Sequence, residues 1–226
     1  MARQIKSAPG QKRRVFLVED HPVTREGLAQ LLNQQPDLTV CGQAGNARDA
    51  SSAVDRSAPD LVIVDISLGG TNGIELIKDL AARHPKLGIL VLSTHDESLY
   101  AERSLRAGAR GYVMKHEPTE QVMGAIRLVL RGGIYLSERM HGRVLHKVAA
   151  GAGPGSLSDV EQLSDRELEI FQLIGRGSTT AQIAAGLHVS VSTVETHRAH
   201  IKEKLRLANA TELVRRAVEW VQNSAL

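Results

Sequence analysis

Four consecutive apolar residues, Leu61-Val62-Ile63-Val64, stand between Pro59 and the pair Gly69-Gly70, and they constrain the fold more than any other stretch. The run has strand length. A strand without a polar face must be covered on both sides, as in a parallel sheet between two layers of helices. Asp65 follows directly at its C-terminal end. Open α/β sheets bind their ligands at that edge, and a carboxylate set deeper would need a partner to offset its desolvation. A lone strand-end Asp is usually a turn cap, so its meaning depends on what the neighbouring strand ends carry.

From Val15 to Arg131 short apolar runs alternate with helical patterns. Val15–Val18, Leu38–Cys41, Leu61–Ile66, Gly88–Ser93 and Gly111–Met114 predict five strands. Pro22–Leu32, Ala47–Ser57, Gly73–Arg83, Leu99–Ala107 and Pro118–Arg131 predict the helices between and after them. The alternation predicts a five-stranded parallel sheet of the doubly wound, flavodoxin-like kind. After Gly132-Gly133 one more helix is expected over Ser137–Ala150, and Gly151–Ser158 has the Gly/Pro/Ser content of a linker. Beyond it every pattern is helical. Capping-box signatures at Ser164–Glu167, Thr179–Gln182 and Ser192–Glu195, with a variant at Asn209–Glu212, predict four short helices. They fall near Asp165–Arg176, Thr180–Gly186, Thr193–Leu205 and Ala210–Gln222, a small all-α domain.

Composition excludes several classes. No apolar stretch approaches the roughly 20 residues of a membrane helix, and basic Met1–Arg14 lacks the apolar segment of a signal peptide. The single cysteine, Cys41, cannot form an intrachain disulfide and is expected as a buried small side chain. A cytoplasmic protein without a membrane partner is expected. The pI of about 9.2 suggests nucleic acid only until the charges are located. Residues 1–150 carry a net +4 and residues 151–226 a net −1, so any case for DNA rests on local pattern rather than bulk charge.

In the doubly wound order the first and third strands are neighbours, which brings Glu19, Asp20 and Asp65 to one crevice. Carboxylates that close repel unless a cation neutralises them, and oxygen-only ligands in an open site suit Mg²⁺. Ser93 and Lys115 end the fourth and fifth runs, adding a hydroxyl and an ammonium. With Gly73 and Tyr112, these residues make Arg14–Arg131 resemble the receiver domains of bacterial two-component response regulators. The resemblance implies that Asp65 accepts a phosphoryl group from a sensor histidine kinase. It implies Mg²⁺ on Glu19, Asp20, Asp65 and the Ser67 carbonyl, with Ser93 and Lys115 on the acyl phosphate. Ser93 and Tyr112 would form the activation switch. The chain departs from the common pattern at Gly69 and His116, where proline is frequent, and at Ser67 and His95, variable positions that tune phosphoryl lifetime.

The C-terminal helices read as a helix-turn-helix, with Gly186 and Leu187-His188-Val189 as the turn. Val194, Ile201 and Leu205 share one face of the helix from Thr193, while Arg198, Lys202, Lys204 and Arg206 flank the other. Leu163, Arg166-Glu167, Gly177, Ile183-Ala184, Leu187, Ser190, Thr193-Val194, His197, Ile201 and Lys204-Leu205 make about Leu163–Val221 similar to the LuxR-type helix-turn-helix. That resemblance implies base contacts from Glu195, Thr196 and Ala199, and phosphate contacts from Thr193, Arg198 and Lys202. Glu195 either accepts from a cytosine amine or closes a capping box with Ser192. The last helix carries the stripe Leu213, Val214, Ala217, Val218 and Val221, which the resemblance makes a dimer contact, while packing within its own domain would account for part of it.

Together the two resemblances imply a NarL/FixJ-type response regulator: tail 1–13, receiver 14–131, linker 132–160 and DNA-binding domain 161–226. It would act as a homodimer on double-stranded DNA at inverted repeats, with RNA polymerase as a further partner, and not as an enzyme. Two rivals remain. A Mg²⁺-dependent phosphohydrolase with a covalent aspartyl phosphate would share the acidic crevice, but would want a second acid where Ser67 and Leu68 stand. A DNA-binding regulator that ignores phosphorylation would keep the same helices.

Overall fold

The computed structural model describes residues 12–68, 71–142 and 159–224, which fall into two compact units, Met1–Leu145 and His146–Leu226. In the first, β1 (Arg13–Val18), β2 (Leu38–Ala44), β3 (Leu61–Val64), β4 (Gly88–Ser93) and β5 (Tyr112–Met114) form one parallel sheet in the order β2-β1-β3-β4-β5. The five intervening or closing helices are α1 (Pro22–Asn33), α2 (Ala47–Ser57), α3 (Gly73–Arg83), α4 (Glu97–Ala107) and α5 (Thr119–Leu130). This is the doubly wound architecture that the alternation predicts.

Burial explains the pattern. The three central strands are buried on both faces over their cores: the last four residues of β1, all four of β3 and all six of β4 are buried. Val15, Leu17, Leu61, Ile63, Leu90 and Leu92 turn to one side, where Leu32 of α1 and Val122, Ile126 and Val129 of α5 meet them. At edge strand β2 the middle residues are only half-buried, Cys41 among them. Cys41 is therefore not the fully buried side chain expected, because an edge strand lacks a neighbour on one side.

Residues 132–142, expected as the start of a linker, continue along the first unit. Tyr135 bridges to Gly111 beside β5, Leu136 and Met140 are buried, and the Ser137 hydroxyl donates to Glu97 at 2.7 Å. Residues 138–142 are helical; the rest of the helix expected over Ser137–Ala150 lies outside the described residues.

The second unit opens with a 3-10 turn (Asp159–Gln162) and then holds α6 (Asp165–Gly175), α7 (Thr180–Gly186), α8 (Val191–Lys204) and α9 (Ala210–Ser224). Ser164–Glu167 and Thr179–Gln182 form complete capping boxes. Its core is Leu163, Leu168, Phe171, Ile174, Ile183, Val194, Ile201, Leu213 and Ala217. Leu213 and Ala217 are thus the part of the stripe that packs within its own unit, as α9 packs on α6. Trp220 lies against Phe171 at 5.6 Å between ring centroids, while Val214 stays 42% exposed.

Candidate functional site

Parallel register brings the strand ends of the first unit together. Val18 is level with Val64, Val64 with Val91, and Ser93 with Met114. The Asp65 amide donates to the Val18 carbonyl at 2.9 Å and the Lys115 amide to the Ser93 carbonyl at 2.8 Å. Glu19, Asp65, Ser93 and Lys115 consequently stand side by side just beyond the ladder.

Asp65 and Glu19 are each 3% exposed. Lys115 Nζ donates to Asp65 Oδ2 at 2.7 Å and lies 2.6 Å from Glu19 Oε2. Burial pulls the lysine's pKa down, but the charges and hydrogen bonds of Asp65 and Glu19 outweigh it, and the net shift is upward. The ammonium therefore stays charged and holds two carboxylates that would otherwise repel. Asp65 Oδ1 is buried and has no hydrogen-bond partner among the described residues. An orphaned buried carboxylate oxygen is rare in a finished core, and it fits a site that receives a further electrophile. Beside it, Glu19, Asp20 and His21 each bring one ligand atom within 4.8 Å of the others, two of them carboxylate oxygens of the kind Mg²⁺ takes.

Asp20 joins this group through His21, which was not singled out from sequence. His21 Nδ1 lies 2.8 Å from Asp20 Oδ1 and 3.4 Å from Glu19 Oε1. Its signal was its place directly after the acidic pair. His95 is the other organiser. Its Nε2 is 2.8 Å from the Ser67 hydroxyl, its amide donates to Ser93 Oγ at 3.4 Å, and its carbonyl accepts from the Tyr112 hydroxyl at 2.7 Å. Tyr112 is buried, which drives its phenol pKa well above the ordinary value, so it acts as a donor. Ser67, Ser93 and Tyr112 thus meet at one histidine that the sequence marked only as a variable position. Gly69 lies outside the described residues. No peptide bond among the described residues is cis, so Lys115–His116 is trans.

In the second unit the expected recognition helix starts two residues earlier than predicted. Ser190, not Ser192, caps α8, accepting from the Thr193 amide at 3.1 Å. Glu195 therefore does not close a capping box; it accepts from the Thr180 hydroxyl at 3.0 Å and lies 3.6 Å from Arg198 Nε. The turn before α8 passes through His188 at φ 53°, a left-handed conformation that glycine adopts more readily. Gly186 instead ends α7. Thr193, Glu195, Thr196 and Ala199 are exposed opposite buried Val194 and Ile201, and Lys202 is half-buried. Arg198 is largely covered, with 15% of its side chain accessible.

A family profile described as "Response regulator receiver domain" matches residues 15–127, and one described as "Bacterial regulatory proteins, luxR family" matches residues 161–217. Oxygen regulatory protein NreC of Staphylococcus carnosus (strain TM300) is 35% identical over 210 residues, covering 91% of this chain and 97% of that protein. The chain is a two-component response regulator of the NarL/FixJ family. Among solved structures, the response regulator ChrA of a heme-sensing two-component system is 32% identical with a TM-score of 0.50, covering 92% of this chain and 98% of that one. A LuxR-family response regulator from Aurantimonas sp. SI85-9A1 is 29% identical with a TM-score of 0.57, covering 62% of this chain and 99% of that one. The family is one of DNA-binding transcription regulators, and no helix among this regulator's described residues is long and apolar enough to cross a membrane.

The output helices of this response regulator are tied together by one buried carboxylate. Glu167 Oε2 accepts from the Ser164 amide at 2.7 Å and from Lys204 Nζ of α8 at 2.6 Å. Burial works to raise its pKa, but Lys204 and Ser164 outweigh it and the net shift is downward. A carboxyl held low in the fold contributes stability that is present above its unfolded pKa and is lost as pH falls through the folded one. The output domain should therefore lose about 1 kcal/mol from this contact as pH drops below about 4.5. In Glu167→Gln that component should be absent at every pH. Urea unfolding followed by Trp220, the sole tryptophan, checks this; parallel pH profiles for both proteins would refute it.

Proposed function

We propose that this regulator is switched by phosphorylation of Asp65 and acts as a homodimer on double-stranded DNA. The observation that carries the first half is the buried Asp65 carboxylate, with Lys115 on Oδ2 and no hydrogen-bond partner on Oδ1 among the described residues. In the transfer, an Asp65 oxygen bonds to the phosphorus as the bond from phosphorus to the donor, a kinase phosphohistidine or acetyl phosphate, breaks. The donor leaves with that electron pair and an acyl phosphate remains on Asp65. Lys115 offsets the phosphoryl charge and Ser93 supplies a hydroxyl to it. Glu19, Asp20, Asp65 and the Ser67 carbonyl would hold Mg²⁺, which when bound supplies charge neutralisation at the phosphoryl oxygens. His95, joined to Ser67, Ser93 and Tyr112, links the site to β5 and α4. A change at Ser93 would reach Tyr112 through it and shift the population toward a DNA-competent dimer.

For the output domain, exposed Thr196 and Ala199 suit base-edge contact, and Thr193 and Lys202 suit phosphates. Arg198 fits a role in fixing Glu195 at least as well as a phosphate contact. Glu195, free of the cap, is open to a cytosine amine. The exposed Val214 face of α9 is the part of the stripe left for a partner subunit. Lys202→Ala should weaken binding to any duplex roughly five- to tenfold at low salt and flatten the salt slope by about one. Fluorescence anisotropy across a salt series measures both, and an unchanged slope would remove Lys202 from the phosphate contacts. A sensor kinase, a cytoplasmic setting and regulation of transcription through RNA polymerase follow from the same proposal.

A further inference from the structure

Away from the acidic pocket, one more set of ligating side chains converges, on the recognition helix itself. His197 and His200 are three positions apart on α8, which sets them one turn apart on a shared face. Glu167 meets them from α6, and one ligand atom from each of the three lies within 4.8 Å of the others. Zinc bonds to imidazole and carboxylate run to about 2.0–2.2 Å, so tetrahedral ligand atoms sit about 3.4 Å apart. Closing the set asks for side-chain shifts of about an ångström, not a new backbone.

The three residues are prepared for this in different ways. Glu167 Oε2 is already engaged by the Ser164 amide and Lys204, which fixes the carboxylate, while Oε1 faces His200 Nδ1 at 4.0 Å. His197 Nδ1 is buried and has no partner among the described residues, a condition that calls for a water, an ion or a moved neighbour. The His197 ring stands edge-on to that of His200, at 6.5 Å between centroids. Burial first, and the Arg166 charge second, hold the His197 pKa down, leaving it neutral and able to ligate. Arg166 and Lys204 oppose an incoming cation, but Lys204 is tied to the other carboxylate oxygen.

We propose that Glu167, His197 and His200 form a site for a divalent ion of the zinc type, with a fourth position left to water. Two imidazoles and one carboxylate favour zinc over magnesium, the reverse of the oxygen-only acidic pocket. An ion there would cross-link α8 to α6, making the rigidity of the recognition helix depend on metal.

The test is a titration of tag-free, full-length protein with Zn²⁺ by calorimetry, under saturating Mg²⁺, and with Co²⁺ by visible absorption. Variants His200→Ala and Glu167→Gln probe the site, and His21→Ala removes the imidazole beside the acidic pocket. Glutamine at 167 keeps the capping reach, as Gln182 does for Thr179, and Trp220 fluorescence confirms folding. Expected is one Zn²⁺ per chain, retained in His21→Ala, with affinity at least tenfold lower in His200→Ala and in Glu167→Gln and the tetrahedral Co²⁺ band lost in both. Affinity lost in His21→Ala, or unchanged in His200→Ala, would overturn the site. Unchanged affinity in Glu167→Gln would reduce it to a surface histidine pair and overturn it equally.

Discussion

Asp65→Asn should abolish phosphorylation by acetyl phosphate or a sensor kinase, leaving less than about one part in a thousand of the wild-type labelling rate. Asparagine has the same shape but offers no anionic oxygen to bond to phosphorus. The variant should still fold. Lys115 keeps Glu19 as its partner at 2.6 Å, and the amide at position 65 keeps its bond to Val18. Loss of labelling can therefore be assigned to chemistry once the tyrosine near-UV signal matches wild type. Tyr100, Tyr112 and Tyr135 are the only tyrosines, and all three sit in the first unit. Phos-tag electrophoresis reads the modification. A shifted band that persists in Asp65→Asn would move the phosphoacceptor elsewhere. The same comparison separates the rivals: phosphomonoester turnover lost in Asp65→Asn would favour a phosphohydrolase. DNA footprints identical with and without acetyl phosphate would favour a regulator indifferent to phosphorylation.

Gly73→Ala should destabilise the receiver domain by about 3 kcal/mol or more and take phosphorylation down with it. A Cβ at this position would sit 2.1 Å from the Asp65 carbonyl oxygen and 2.9 Å from Ile66 Cα. Both are backbone atoms, so no rotamer change relieves the overlap. The Gly73 amide donates to the Ile66 carbonyl at 2.7 Å, and Asn72 caps α3 by accepting from Ile74 at 2.9 Å. The loop that follows Asp65 is thus clamped onto the start of α3 at a point where only glycine fits. Gly124, exposed in α5 with open space around it, provides the contrast. There alanine should stabilise by about 0.5–1 kcal/mol, since a helix interior favours it. Urea unfolding followed by tyrosine signals compares the two. Equal stability of Gly73→Ala and wild type would show that the loop yields.

Periodicity gave the strands and helices within a few residues, because full burial on both faces writes an unbroken apolar run such as Leu61–Val64 and half-burial writes a 3.6-residue stripe. Where burial was partial the pattern was less informative. Cys41 reads as core in an apolar run, and only the strand order shows that β2 is an edge. Two of three capping boxes were legible because the whole motif is local. At α8 two serines compete for the cap, and the helix begins at the one that satisfies the Thr193 amide. The stripe on α9 was equally ambiguous: Leu213 and Ala217 go to α6, and sequence spacing carries no record of which partner covers an apolar face.

Taken alone, then, the sequence determined the element order and the doubly wound sheet. It also placed Glu19, Asp20, Asp65, Ser93 and Lys115 at strand ends, since all of these follow from local pattern and a topology with few alternatives. Tertiary structure decided what those residues touch. It put Lys115 on Asp65 and Glu19, made His95 the meeting point of Ser67, Ser93 and Tyr112, and set Glu167 opposite His197 and His200. Most of these contacts join residues distant in the chain, and distance in sequence carries no trace of which side chains finally share an ångström-scale neighbourhood.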